Sequence, residues 1–166
     1  MLTIINTGGT FNKIYDPIKG DLIVPKNNIA LHKALKYISK NYEFDITGVV
    51  YKDSLDMNIS DREIIYNHIK GAKYNRVIII HGTDTMDITA KYIDERLKSD
   101  GIKKSIILTG AMVPLSIDPI DATSNLSFAI ASITHIDKGV YISMHGLCLP
   151  YDKIVKNRLL GVFEEV

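Results

Sequence analysis

Cysteine is almost missing from this chain: Cys148 is the single thiol, which excludes an intrachain disulfide. Histidine is sparse, and His32, His68, His81, His135 and His145 fall at no spacing typical of a zinc site. No metal and no other cofactor is therefore expected. Neither sign of charge is in excess. Lys plus Arg number 20 and Asp plus Glu 19, a formal net charge of +1, which excludes both the basic footprint of a nucleic-acid binder and an acidic solvating tail. Long apolar runs are lacking too, since no stretch approaches the roughly 18 apolar residues that a membrane span needs. The N-terminus, Met1-Leu2-Thr3-Ile4-Ile5-Asn6, has no basic segment and is too short for a signal-peptide core. A cytoplasmic protein with no membrane and no nucleic-acid partner is expected. What is present is 166 residues, 46% of them hydrophobic, which suits one domain with a sizeable core.

Strand-like and helix-like runs alternate. Leu2 to Asn6 is short, apolar and β-branched. Residues 29–40 place Ile29, Leu31, Ala34, Leu35 and Ile38 near one helical face, with Asn27 and Asn28 available to cap it. Phe44 to Tyr51 reads as a second strand. Ser60-Asp61-Arg62-Glu63 has the pattern of a capping box ahead of Ile64, Ile65 and Ile69. Val77 to Ile80 is a continuous apolar run, as in a strand covered on both faces. A helix from about Thr85 to Ser99 ends at Gly101, a strand follows over Ser105 to Leu108, a helix over Asp121 to about Thr134, and a strand over Val140 to Met144. Residues 145–166 carry no clear pattern, and 11–26 is irregular, with the length of a lid or binding loop. The order predicts an α/β fold: a three-layer sandwich with a central, mostly parallel sheet flanked by helices.

In such a sheet, ligands bind beyond the carboxyl ends of the strands. Those ends read Thr7-Gly8-Gly9-Thr10, Asp53-Ser54-Leu55-Asp56-Met57, His81-Gly82-Thr83-Asp84-Thr85-Met86, Thr109-Gly110-Ala111-Met112 and His145-Gly146. Each also has an ordinary structural reading. Thr7 to Thr10 is a tight turn and matches neither the dinucleotide fingerprint nor the phosphate loop. Thr83 or Asp84 caps the following helix, Ser54 and Asp56 are turn residues, His81 is a hydrogen-bonded strand-end histidine, and Lys156 is a solvated surface lysine. Taken together, two threonines, a carboxylate and a lysine are what an amide hydrolase with a threonine nucleophile requires. The hydroxyl needs a neighbour to accept its proton, a lysine can orient a carboxylate and a hydroxyl, and backbone N–H groups of a glycine turn can hold an oxyanion.

These motifs resemble the bacterial-type L-asparaginases. Thr7 to Thr10 matches their Thr-Gly-Gly-Thr, Asp53 to Met57 resembles Asp-Ser-Ser-Asp-Met of the cytoplasmic type, and His81 to Met86 matches His-Gly-Thr-Asp-Thr-Met letter for letter. Thr109 to Met112 and Asp121 to Leu126 follow in the family's order. The resemblance implies an amidohydrolase that converts L-asparagine, or a related small amide, to L-aspartate and ammonia. It implies Thr10 as nucleophile, Thr83, Asp84 and Lys156 as a second catalytic group, and Ser54 as the residue holding the substrate α-carboxylate. Asp84 would also hold the α-ammonium as a fixed countercharge. Tyr15 is the candidate for a lid tyrosine hydrogen-bonded to the nucleophile.

Two departures stand out. Leu55 occupies a substrate-binding position where the family places glutamine or serine, and leucine can neither donate nor accept a hydrogen bond. Family enzymes also carry a C-terminal domain that completes the neighbouring subunit's site, whereas residues 1–166 are expected to form one N-terminal-like domain without it. Apolar surface left uncovered in this way predicts a homo-oligomer, a dimer or higher. The alternative to an active enzyme is a weak or inactive amino-acid-binding or regulatory protein built on the same fold.

Overall fold

The computed structural model describes residues 1–39 and 42–166, so Lys40, at the end of the expected first helix, lies outside the described residues. The chain runs β1 (Leu2–Gly8), α1 (Gly9–Asn12), β2 (Ile14–Asp16), β3 (Asp21–Ile23), α2 (Ile29–Ile38), β4 (Phe44–Lys52), α3 (Ile59–Gly71), β5 (Arg76–Ile80), α4 (Met86–Ser99), β6 (Ser105–Thr109), α5 (Pro119–Ser132), β7 (Gly139–Met144), β8 (Leu147–Pro150), β9 (Ile154–Asn157) and β10 (Val162–Glu165). The main sheet has six strands in the order β4-β1-β5-β6-β7-β8. β4 to β7 pair in parallel through β1, β5 and β6, and only β8 runs antiparallel, against β7.

The pleat divides the core into two layers. Along β5, Val77 and Ile79 face α3 and α4, where they meet Ile65, Ile69, Ala90 and Ile93. Ile78 and Ile80 face the other way, toward Leu31 and Leu35 of α2 and Leu126 and Ala129 of α5. A strand buried on both faces reads as an unbroken apolar run because every residue, not every second one, meets a helix layer. No helix among the described residues is long and apolar enough to cross a membrane.

Local structure departs from the sequence expectation in four places. The capping box belongs to Asn58 and Asp61, not Ser60 and Glu63: the Asn58 side chain accepts from the Asp61 N–H and the Asp61 carboxylate accepts from the Asn58 N–H. The helix thus starts one residue before Ser60, and the reciprocal bonds fall on the pair that brackets its first turn. α5 begins at Pro119, with Asp118 accepting from the Ile120 N–H, earlier than Asp121. A proline in the first turn costs no hydrogen bond, which allows the earlier start. The irregular stretch contains the β2–β3 hairpin. The unassigned tail contains β8, a 3-10 turn over Tyr151–Lys153, and the antiparallel β9–β10 hairpin. These strands are short, and their pairing comes from tertiary packing rather than from a hydrophobic period. α4 ends as expected: Gly101 has φ +65, with Ile102 N–H donating to Leu97 O and Gly101 N–H to Lys98 O.

The Asn58–Asp61 box satisfies two backbone N–H groups at the start of α3. Replacing Asn58 with alanine removes one of its two bonds, and an equilibrium urea titration is expected to show a loss of about 1 kcal/mol.

Candidate active site

The carboxyl ends of β1 and β5 lie side by side, and their turns touch through backbone alone. A Cβ on Gly9, where φ is +67, would sit 2.5 Å from the Gly82 nitrogen. A Cβ on Gly82 would sit 2.6 Å from Ser54 Oγ. Thr10 follows the first of these glycines and Thr83 the second, so the contact brings both threonines to one stretch of rim. Thr7 supports the approach by donating from its hydroxyl to the Ile80 carbonyl at 2.7 Å. Thr10 is half-buried on α1, and Thr83 is buried.

Ser54 enters from the third neighbouring strand end. β4 carries a bulge opposite β1, where the register passes from Asn6↔Gly48 to Gly8↔Lys52. Val50 and Tyr51 take positive φ values of 68 and 51 in the extra residues. A β-branched residue in that region is strained by about 1–3 kcal/mol, and Tyr51 is held there by its hydroxyl bond to Asn28 Oδ1. Beyond the bulge, Ser54–Asp56 forms a 3-10 turn capped by Asp53, which accepts from the Leu55 N–H. Burial raises the Asp53 carboxyl, but the 2.6 Å Lys13 ion pair and the Leu55 and Ser54 N–H groups outweigh it, so the group titrates below its ordinary value. Ser54 is fully buried, and its Oγ has no hydrogen-bond partner among the described residues.

Arg62 joins this turn to the one after β5. Its buried guanidinium donates to Met57 O, Thr89 Oγ1 and Thr85 Oγ1, and Thr85 in turn donates to Ser54 O at 2.8 Å. Thr85, rather than Thr83 or Asp84, is the residue at the start of α4. Thr83 and Asp84 are thereby left free for other partners.

Those partners come from the far end of the chain. Lys156 Nζ donates to Thr83 Oγ1 at 2.8 Å and to Asp84 Oδ1 at 2.8 Å, and its side chain is only 13% exposed. The placement depends on a relay of hydrogen bonds. Asp121 accepts from the Met112 N–H and from Asn125 Nδ2. Asn125 Oδ1 accepts from the His145 N–H, and His145 Nδ1 accepts from the Phe163 N–H. Phe163 pairs with Lys156 across the β9–β10 hairpin, its ring buried against the core. Arg158 was not singled out by sequence reasoning. It contacts the same carboxylate, Nη1 to Asp84 Oδ1 at 3.0 Å and Nη2 to Asp84 O at 2.7 Å.

Thr10, Ser54, Thr83, Asp84 and Lys156 therefore share one rim. Leu55 is 67% exposed on the outside of the Ser54 turn. Tyr15 is 61% exposed on the β2–β3 hairpin, and its hydroxyl has no hydrogen-bond partner among the described residues. His81 is fully buried, with Nδ1 bonded to the Gly82 carbonyl at 2.8 Å. Burial pushes its imidazole down to about 4, the Gly82 bond only partly opposing. Its Nε2 is buried with no hydrogen-bond partner among the described residues, so the ordinary reading of a hydrogen-bonded strand-end histidine holds for Nδ1 alone.

These hydroxyls, a carboxylate and a lysine thus lie at the carboxyl end of the parallel sheet of an α/β domain. Residues 1–159 match the family model described as Asparaginase, N-terminal, and the chain belongs to that family. It is 31% identical over 125 residues to a glutaminase-asparaginase of Acinetobacter glutaminasificans, an alignment that covers 70% of this chain and 36% of that protein. Its fold is similar to that of the thermostable L-asparaginase from Thermococcus kodakarensis, with a TM-score of 0.82, 22% identity, and coverage of 99% of this chain and 51% of that one. It is also similar to a probable cytoplasmic L-asparaginase from Campylobacter jejuni, with a TM-score of 0.78, 23% identity, and coverage of 99% and 52%. The chain thus spans about half the length of these solved structures and about a third of the curated relative.

Two outcomes test this geometry. Gly9→Ala forces a Cβ into the Gly82 backbone at positive φ, and chemical denaturation is expected to show a loss of about 1–3 kcal/mol. The second concerns His81. At pH 7 the imidazole is neutral in the folded and the unfolded chain. Between its ordinary pKa and about 4, only the unfolded chain takes up the proton. Stability therefore falls as pH drops through that window, at a slope approaching 1.4 kcal/mol per pH unit. Urea titrations from pH 7 to pH 4.5 are expected to show a shallower slope for His81→Gln than for the parent chain.

Proposed function

We propose that the chain is an amidohydrolase that hydrolyses L-asparagine or a related small amide to the free acid and ammonia through a threonine nucleophile. One observation carries the reading: Lys156 bonds both Thr83 and Asp84 at 2.8 Å, and the residues preceding Thr10 and Thr83 are in backbone contact through Gly9 and Gly82. A surface lysine has no reason to be buried in this pairing. Family membership supports the same class of chemistry.

In this reading, Thr10 Oγ1 attacks the amide carbon and its proton moves to the departing nitrogen, which leaves as ammonia. The acyl-threonine ester is then cleaved by water, whose proton restores the hydroxyl and whose oxygen stays with the acid. Thr83, Asp84 and Lys156 form the bonded group that relays the proton for the second half of this sequence, and Lys156 fixes the orientation of the other two. Ser54 Oγ, buried and without a partner among the described residues, offers one donor to a ligand carboxylate. Asp84 offers the countercharge for an ammonium, and Tyr15 closes over Thr10 if the β2–β3 hairpin folds inward.

Residues 1–166 are proposed to act as one unit, in the cytoplasm, as a homo-oligomer of two or more chains. Exposed Ile117, Ile120, Leu159 and Leu160 provide apolar surface for such an assembly. A second reading, an amino-acid-binding protein with little turnover, is favoured by one feature: Tyr15 is exposed on its hairpin without a hydrogen-bond partner among the described residues, so the lid group is missing from the assembled rim.

Ammonia release from L-asparagine and L-glutamine decides between them. Thr10→Ala and Thr83→Ala are each expected to lower kcat by about a thousandfold or more, and Lys156→Met to do the same. Cooperative unfolding should stay within about 1 kcal/mol of the parent for the two threonine variants. An active Thr10→Ala chain would overturn the mechanism. A parent chain that binds L-aspartate without releasing ammonia from any amide would establish the binding protein instead.

A further inference from the structure

His145 stands where the β9–β10 hairpin meets the rim, and its ring takes no part in the proposed chemistry. It follows β7 with φ +52, and its own N–H donates to Asn125 Oδ1 on α5. The ring lies edge-on to that of Phe163, with centroids 5.9 Å apart, and Nδ1 accepts from the Phe163 N–H at 3.2 Å. Accepting that bond requires the neutral ring with its proton on Nε2. Phe163 pairs across the hairpin with Lys156, whose ammonium holds Thr83 and Asp84. One lone pair on His145 thus ties the strand pair that carries the lysine to α5 and β7. Protonation fills that lone pair and sets an N–H against an N–H, so the bond is lost and a repulsion takes its place. The His145 side chain is 25% exposed, so solvent protons reach it. The charged groups on the elements packed against it do not replace the bond. α5 carries Asp121, which favours an imidazolium from the Nε2 side at 3.8 Å. β9 carries Lys156, already committed to Thr83 and Asp84, and β10 carries Glu164 and Glu165, both exposed, with Glu164 accepting from Asn157.

We propose that His145 is a positioning residue for Lys156 and acts as a proton-controlled latch: the β9–β10 hairpin docks while the imidazole is neutral and loosens when the imidazole is protonated. The docked hairpin blocks Nδ1 against a proton, and the open hairpin leaves it free to take one. Docking is therefore strongest above the titration of the ring and is lost as pH falls through it. Histidine is the side chain whose charge change ordinarily falls between pH 5 and 8. His81, buried and titrating at about 4, lies below that window. The effect on turnover rests on the reading of Lys156 as the group that fixes Thr83 and Asp84, whereas the latch itself is a property of the hairpin.

Reductive methylation with formaldehyde and a borane, read by peptide mass spectrometry, tests the latch. The measured quantity is the initial rate at Lys156 relative to that at Lys91, whose side chain is 66% exposed on α4. The ratio cancels the fall of amine reactivity with pH that both lysines share. In the parent chain it is expected to rise by about fivefold or more from pH 8 to pH 5.5, the shift that loss of one net hydrogen bond produces. His145→Asn keeps an acceptor that does not titrate. Asparagine tolerates the left-handed backbone, and its Oδ1 stands as many bonds from Cα as Nδ1 does. The ratio in this variant is expected to be independent of pH, and both chains keep Asp84 and Asp121, so a contribution from either carboxylate appears in both. A ratio that stays flat in the parent overturns the latch without recourse to a variant. A rise of equal size in His145→Asn also overturns it, because another group then carries the proton. Ammonia release from L-asparagine is measured alongside at pH 8. The expected ratios without ammonia release support the latch and overturn the amidase reading. A flat parent ratio with ammonia release overturns the latch alone, and a flat ratio with no release overturns both.

Discussion

Two turns can share one rim only if nothing stands between them, and here that condition is met by the backbone contact of Gly9 with Gly82. Adjacent parallel strands lie about 4.8 Å apart, and the turns that leave β1 and β5 close that gap without a side chain on either. Everything nearby follows from it. Thr10 and Thr83 become neighbours because each is the next residue along. Ser54 reaches the same place because Gly82 also leaves room for its Oγ. The strain at Val50 belongs to the same arrangement, since the bulge in β4 carries the Asp53–Asp56 segment to the level at which Ser54 meets Gly82.

A different principle places the lysine. Lys156 lies more than seventy positions from Thr83 in the chain, and no local propensity sets that distance. It is set by a sequence of polar contacts that crosses the rim from Asp121 to Asn125, His145 and Phe163. The last two links each satisfy a backbone N–H, of His145 and of Phe163, and an unpaired buried donor is costly. The Asp121 and Asn125 side chains, which touch none of the proposed reacting groups, are in this sense part of the apparatus that positions one.

The fold was legible wherever burial imposed a period. Val77 to Ile80 announced a strand covered on both faces, and α2, α4 and α5 announced themselves by their apolar stripes. Most of the rim was legible for another reason: Thr10, Ser54, Thr83 and Asp84 directly follow apolar runs, so strand ends and polar residues coincide. The tail was opaque because β8, β9 and β10 span four residues each, too few to show an alternation. The capping box was misplaced because Asn58 and Asp61 are as good a pair as Ser60 and Glu63, and only the packing of Ile65 and Ile69 settles where the helix begins. Arg158 was overlooked because nothing in a sequence distinguishes a tethered arginine from a solvated one. Leu55, read as a substrate-facing position from its motif, points outward on its turn.

Lys156 resides on a small sheet of its own, the β9–β10 pair, which among the described residues shares no strand pairing with the six-stranded sheet. Ile154 and Phe163 are its buried apolar anchors. Such a hairpin is a unit that can open by itself while the rest of the chain stays folded. The contact of the lysine with Thr83 therefore depends on this hairpin staying docked through Ile154, Phe163 and the Phe163–His145 bond. A chain can lose this contact with its circular dichroism and its unfolding midpoint intact. Amide protons of residues 154–165 are then the places where exchange with solvent would betray how often the rim comes apart.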